Sequence, residues 1–302
     1  PVRAPVPRRV LAAAFAGLLA PATARAQAFT PPRGVLSLTL AYQYVENTGH
    51  RLDDGTLLRV GQSVDASVLL EGTYAATDRL AFTLGLPYVF ARYTDDEPTP
   101  ANLPVDACRC WNSSFQDFAL TARYRLGGRA LAVTPTLGLV VPSHAYAWEG
   151  EAVVGRRLLE AQVGVSAGWA PPRSPLRGLD VHVSYAYAFV ERPIDVPVDR
   201  SFGAFSVGWS PVRRLHVGAT ASWQVTHGGL RAPQDLATPA RFAQHDRIMR
   251  DDYWRLGGGV SWSFAQADVF ASYTTYVAGR NTHDGQAFTI GISAYFGGPF
   301  GR

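Results

Sequence analysis

The sequence contains no lysine. Its 28 basic side chains are all arginine, set against 24 acidic ones for a formal charge of +4. The arginines are scattered and do not interleave with stacking aromatics, so a nucleic-acid partner is not expected. Cysteine is almost absent: Cys108 and Cys110 are the only two. That excludes a disulfide framework and a four-cysteine zinc site. The pair is expected to form a local bridge in an oxidising compartment, although one intervening residue strains such a bridge. The seven histidines form no i, i+2 or i, i+4 cluster with carboxylates that suits a metal. His245-Asp246 comes nearest and reads as solvated. No cofactor or metal is expected. Beyond the N-terminus, no apolar run approaches the roughly 18 residues that a membrane helix requires.

What is present is alternation. Hydrophobic residues make up 47% of the chain, yet the mean hydropathy is close to zero. Charged residues are 17%, below the roughly 25% of ordinary soluble domains. Aromatics at 12% and 29 glycines suit strands and tight turns.

The first residues read as an address. Arg3, Arg8 and Arg9 precede an apolar stretch from Val10 to Ala20, and Ala24-Arg25-Ala26 offers the small residues of a cleavage site. Residues 1–26 are therefore expected to be a secretory signal, with cleavage after Ala26 leaving Gln27 first. Residues 27–302 are expected to form one domain.

In that domain Leu36, Leu38, Leu40, Tyr42 and Tyr44 share one parity and Ser37, Thr39, Ala41 and Gln43 the other. The same period-two pattern recurs at 64–74, 80–90, 117–126, 131–141, 158–169, 179–190, 202–210, 215–226, 253–264, 267–277 and 286–296. Strict alternation is the β signal. The runs exceed the usual soluble strand of about 5–6 residues and match tilted membrane strands of about 9–11. Charges keep to the polar parity, as they must where a lipid-facing arginine costs about 2–4 kcal/mol. Turns such as Thr77-Asp78-Arg79 and Gly127-Gly128-Arg129 alternate with longer loops near 46–61, 94–114, 142–157, 191–201, 227–252 and 278–285. Short periplasmic turns and long external loops mark an all-β, antiparallel, up-and-down transmembrane barrel of about twelve strands in the bacterial outer membrane. Aromatics close the strands in two girdles: Tyr42, Tyr44, Tyr88, Phe90, Tyr187 and Phe189 at one level, Trp169, Trp209, Trp262, Phe264 and Phe296 at the other. Outer-membrane lipid and lipopolysaccharide are the expected surroundings. The last strand, with Phe288, Ile290, Ile292 and Phe296 in register, suits recognition by the outer-membrane assembly machinery.

Several stretches resemble one family. Leu70–Tyr88 (LEGTYAATDRLAFTLGLPY), Phe115–Leu126 (FQDFALTARYRL), Thr134–Ser143 (TPTLGLVVPS) and Leu159–Gly168 are similar to the meta-pathway phenol-degradation outer-membrane proteins. Ala75-Ala76 stands where that family more often has Gly-Leu. The resemblance covers roughly residues 35–300. It implies a transporter-like outer-membrane barrel, and uptake of small hydrophobic or aromatic molecules.

The polar parity supplies the candidate lumen-lining residues: Asp65, Glu71, Asp117, Arg123, Arg125, Glu160, Gln162, Asp180, His182, His216, Gln224, Arg255 and Asp268. Opposed charges there would either form a selective constriction or fill a small barrel with ion pairs. Passive channel function leads, ahead of a closed structural or surface-interaction barrel and of a lipid hydrolase. The hydrolase would need a serine beside a histidine with an orienting group. His227 has no serine following it, and Ser143 and His144 are expected on opposite faces, so no enzyme is expected. Pro87 and Pro135 fall inside strands that, in a closed barrel, have no edge, so bulges are expected at both. A bulge at Pro87 could open a side path from lumen to lipid.

Overall fold

The computed structural model describes residues 28–59, 61–94, 105, 110–128, 130–171, 178–236 and 238–298. The expected signal segment, its cleavage point and Cys108, hence the Cys108–Cys110 bridge, lie outside the described residues.

Twelve long strands follow one another: β1 (Leu36–Arg51), β2 (Gln62–Ala75), β3 (Leu80–Thr94), β4 (Phe118–Tyr124), β5 (Leu131–Val141), β6 (Glu160–Trp169), β7 (Leu179–Val190), β8 (Val198–Val212), β9 (Leu215–Gly228), β10 (Asp252–Ser263), β11 (Ala267–Arg280) and β12 (Thr282–Phe296). The short pieces Leu57–Leu58, Asn112–Phe115 and Leu126–Gly127 pair with β1, β3 and β5. Each long strand pairs antiparallel with its sequence neighbour, and β12 pairs back onto β1 from Leu36↔Phe296 to Arg51↔Thr282. The ring is closed, which satisfies every wall strand on both sides where lipid offers no hydrogen bonds.

Burial is inverted relative to a water-soluble fold. Leu40 is 51% exposed while its neighbour Ala41 is 3% exposed. Leu38, Tyr42, Leu70, Leu84, Leu137, Val163, Phe205, Leu256 and Ile290 are exposed in the same way, whereas Thr39, Ser63, Asp65, Thr73, Arg123, Thr134 and Ser293 are buried. The apolar parity faces out towards hydrocarbon and the polar parity faces in. Across the closing seam Thr39 and Ser293 share an inward hydrogen bond of 2.7 Å.

Several strands outrun the sequence expectation. β1 has 16 residues and absorbs much of the loop placed at 46–61. The loop placed at 278–285 is a tight strand-to-strand tip, because Asn281 adopts φ 48 between β11 and β12, a conformation that asparagine tolerates better than most residues. The two prolines behave differently. Opposite Pro87 the β3–β4 ladder slips by one residue, from Gly85↔Ala119 to Tyr88↔Phe115. At Pro135 there is no slip: Arg123↔Thr136 and Leu126↔Val133 keep one register, and only the pairing around Arg125 lapses. The bulge expected at Pro135 is thus absent, since a short gap in one ladder already removes the need for the missing N–H.

Candidate functional site

The inward face of the wall encloses a lumen, and two external loops fold into it. The β5–β6 loop carries an apolar stretch, Ala152-Val153-Val154, that water would leave unsatisfied. Tyr146, Glu151, Ala152, Val153 and Val154 are all buried. Tyr146 and Val154 pack on Val89 and Ala91 of β3, and Ala152 on Tyr93. The Tyr146 hydroxyl donates to Asp117 and accepts from the Arg157 backbone N–H at 2.7 Å. Burial, with Asp117 beside it, pushes the Tyr146 phenol well above its ordinary range, so it stays a hydrogen-bond donor at any physiological pH.

The β9–β10 loop folds over the same end. It holds two single-turn helices, α1 (Pro239–Phe242) and α2 (His245–Ile248), the first capped by Thr238. Ala232, Leu236, Ile248 and Met249 form its core, against Leu52 and Val196. Asn281 at the β11–β12 tip accepts from the Ala232 N–H at 2.8 Å and donates to Asp53 at 2.9 Å, knitting three loops together. The two inward loops clasp each other. Arg156 donates to the Arg247 carbonyl at 3.2 Å, and Arg247 donates back to the Arg156 carbonyl at 3.0 Å. Both Arg247 and Arg157 lie over the Trp148 ring, at 4.3 and 5.8 Å. His245 Nε2 lies 3.7 Å from Glu151.

Wall residues meet these loops. Glu160 takes Arg200 Nη2 on both oxygens, at 2.6 and 2.7 Å, with Arg156 4.0 Å away. Burial next to Arg200 lowers Arg156 to about 10, so it remains a cation at neutral pH. Gln224 donates to Asp251 at 2.9 Å, and Gln162 to Glu160 at 3.3 Å. Asp65 is buried on β2 in electrostatic contact with Asp246 of the loop. His50 and His283, brought together where β12 meets β1, stack edge to face at 5.2 Å.

The periplasmic end is built more simply. The segment before β1 crosses the opening, where the Ala28 carbonyl accepts from Thr134 at 2.7 Å and Phe29 lies edge-on to His182 at 5.7 Å. Asp180 sits 3.5 Å from His182 and 3.6 Å from His216. Glu71 and Arg123 interact across the wall, with Arg123 also donating to Thr83 at 3.2 Å. Arg125 lies at the rim, bonded to the Asp78 carbonyl of the β2–β3 turn at 2.9 Å. Asp268 accepts from Tyr295 at 2.6 Å. Arg255 lies instead at the external start of β10, over Tyr253 at 4.5 Å.

The structure thus unites Asp180, His182 and His216, and unites Glu71 with Arg123. It leaves Asp65, Asp117, Arg255 and Asp268 in separate settings. Sequence reading missed Arg156, Arg200, Tyr146, Asp251 and the histidines of the external end. Arg200 carried a signal: it shares the inward parity of β8, whose start lies at Val198, four residues before the alternation is evident. Tyr146, Arg156 and Asp251 sit in loops, where parity has no meaning, while His50 and His283 lie on strand ends that the sequence reading had assigned to loops.

Three histidines contact serines: His144, His227 and His216, the last meeting Ser210 at 3.3 Å through the same Nδ1 that lies 3.6 Å from Asp180. Ser143 and His144 do not take opposite faces as expected. Both follow the end of β5, and His144 bonds Ser143 at 2.8 Å and Ser114 at 3.0 Å, using both ring nitrogens on hydroxyls. His227 Nε2 contacts Ser201 at 2.7 Å. Among the described residues no carboxylate pairs with His144 or His227, and His216 meets Ser210 and Asp180 through one and the same nitrogen, whereas a triad histidine holds its serine and its carboxylate on opposite nitrogens. The described residues also hold no group of three or more His, Cys, Asp or Glu side chains arranged for a metal ion.

No family model and no curated protein matches this chain. Among solved structures it is similar to the COG4313 outer membrane channel from Pseudomonas putida F1, with a TM-score of 0.68 at 12% identity, covering 89% of this chain and 97% of that one. The NanC porin structure gives a TM-score of 0.50 at 9% identity, covering 86% and 98%. Likeness at this identity speaks to fold. With the apolar exterior, it places the chain among the barrels of the bacterial outer membrane.

Proposed function

We propose that this barrel is a gated, passive channel for small, apolar or aromatic molecules. The observation that carries the reading is the kind of closure at the external end. The wall is continuous backbone ladder, but the obstruction is two loops held mainly by side-chain contacts: the Arg156–Arg247 clasp, Tyr146 on Asp117, and an apolar cluster. Such contacts open without breaking the sheet. The likeness to outer-membrane channels supports the channel role, and the motif likeness to the phenol-degradation family supports the solute class.

Planar-bilayer recording of purified protein tests it. Wild type should switch between a closed level and open bursts. Arg247→Ala, which removes one side of the clasp and its stacking on Trp148, should raise the open fraction several-fold. If both remain silent under all voltages, a closed structural barrel replaces this reading.

A further inference from the structure

We infer that the β3–β4 seam at Pro87 is a lateral outlet, through which an apolar solute leaves the lumen for the outer leaflet. The inference rests on the channel reading and adds the route.

Three observations coincide at the seam. The first is a weak ladder. Between Gly85↔Ala119 and Tyr88↔Phe115, two residues of β3 face three of the partner. The Pro87 carbonyl accepts from the Gln116 N–H at 2.9 Å. In an antiparallel strand a residue's N and O face the same neighbour, so the Pro87 nitrogen, which has no hydrogen to give, also faces this seam. The wall therefore loses a bond and gains an unpaired residue at one place.

The second is an apolar inner surface. Pro87, Val89 and Ala91 point inward and are buried, and Tyr146 and Val154 of the β5–β6 loop complete the patch. The neighbouring strand β2 adds buried Leu69 directly opposite Pro87, and presents Ser63, Asp65, Ser67 and Thr73 inward on either side of it. The loop rests on the seam itself: Asp117 in the extra stretch takes the Tyr146 hydroxyl, and Gly155 has no room for a Cβ, which would meet Gln116 Cγ at 2.6 Å.

The third is an aromatic outer surface. Tyr88 meets Phe90 and Phe115 edge to face at 5.1 Å each, and Phe115 meets Phe118 at 5.9 Å. A solute held on the inner patch thus has apolar groups before it, a poorly bonded wall beside it and aromatic rings beyond. Moving Tyr146 off Asp117 uncovers the seam. A small apolar or monoaromatic molecule gains at each stage, while an ion or sugar gains nothing by leaving the aqueous lumen.

The test uses two readouts. The first is uptake of the apolar fluorophore N-phenyl-1-naphthylamine by cells carrying the full-length protein in the outer membrane, relative to an empty-vector strain. The second is ion conductance of the purified barrel in the Arg247→Ala background. Pro87→Val with Gln116 deleted restores both the ladder and the alternation. Val89→Thr with Ala91→Ser makes the inner patch polar without changing the wall, and keeps the test intact should the deletion fail to show heat-modifiable migration. Either pair should cut fluorophore uptake several-fold without lowering conductance. Unchanged uptake in folded variants overturns the outlet and leaves the channel reading standing. A parallel fall in conductance also overturns it, because the solute then shares the axial path. Silence of the Arg247→Ala barrel sinks the channel reading instead.

Discussion

The two ends of the lumen are closed by different means. At the external end, two loops from opposite parts of the chain clasp each other and the wall through arginines, Tyr146, Asn281 and two apolar clusters. At the periplasmic end, a short segment ahead of β1 is held by a hydrogen bond from Thr134 to Ala28, a ring contact between Phe29 and His182, and hydrogen bonds from Thr30 and the Arg33 N–H to Asp78 of the β2–β3 turn. The first closure is cooperative, since each contact presupposes the others. The second is local. A device that gates on demand is better built from the first kind, because removing one contact loosens the whole assembly.

The comparison can be broken outright by replacing residues 231–248 with a short Gly-Ser linker. This removes α1, α2, His245 and Arg247 together. Conductance should rise by an order of magnitude or more, with the barrel still heat-modifiable on gels; unchanged conductance would mean that the external end is not the barrier. Next in size is the ion pair that joins wall to loop. Arg200→Ala leaves Glu160 buried with the Gln162 amide and the more distant Arg156 guanidinium, and should cost about 3–5 kcal/mol. Urea unfolding in detergent reports it, and Glu160→Leu with Arg200→Leu should recover most of the loss. A smaller effect is expected at the other end. Thr134→Val removes the bond to Ala28 and should cost about 1 kcal/mol, read as faster amide exchange at 28–34 with none at 229–251. Exchange rising at both ends would refute the independence of the two closures.

The smallest effect concerns pH. Burial pushes the Asp251 carboxyl upward, against the pull of Thr282, Arg255 and Arg156. A carboxyl raised in the folded state binds its proton more tightly there than in the opened loop, so the loop is steadied as pH falls through that raised value and loosened above it. Amide protection at 229–251, taken relative to the intrinsic exchange rate at each pH, should therefore be greater at pH 5 than at pH 7.5, and Asp251→Asn should flatten the difference.

Much of the fold was written in parity. Leu36 to Tyr44 announced a strand with one oily face because lipid outside and water inside impose period two on every wall residue, and twelve such runs with alternating turn lengths leave few topologies. Strand ends were less legible. His50, Arg51 and Thr282–Gln286 continue their ladders above the lipid, where neither face must be apolar and the pattern fades. The candidate site was half legible. Asp180, His182, Glu71 and Arg123 lie on strands, so their inward direction could be read. Arg156, Arg247 and Tyr146 lie on loops whose path depends on tertiary contacts. Ala152-Val153-Val154 was the available clue: an apolar triplet in a stretch otherwise reading as exposed loop has to be covered by something.

The join between β1 and β12 sets how this molecule is born. Thr39 and Ser293 meet although 254 residues separate them, and nearly every other strand must already stand between them when they do. The entropy of bringing such distant segments together is lost before that bond returns anything. The ring therefore closes last and all at once. A chain cut short at either terminal strand would not be a weaker version of this protein but an unfinished one, left with two raw borders and prone to pair with whatever strand it meets first.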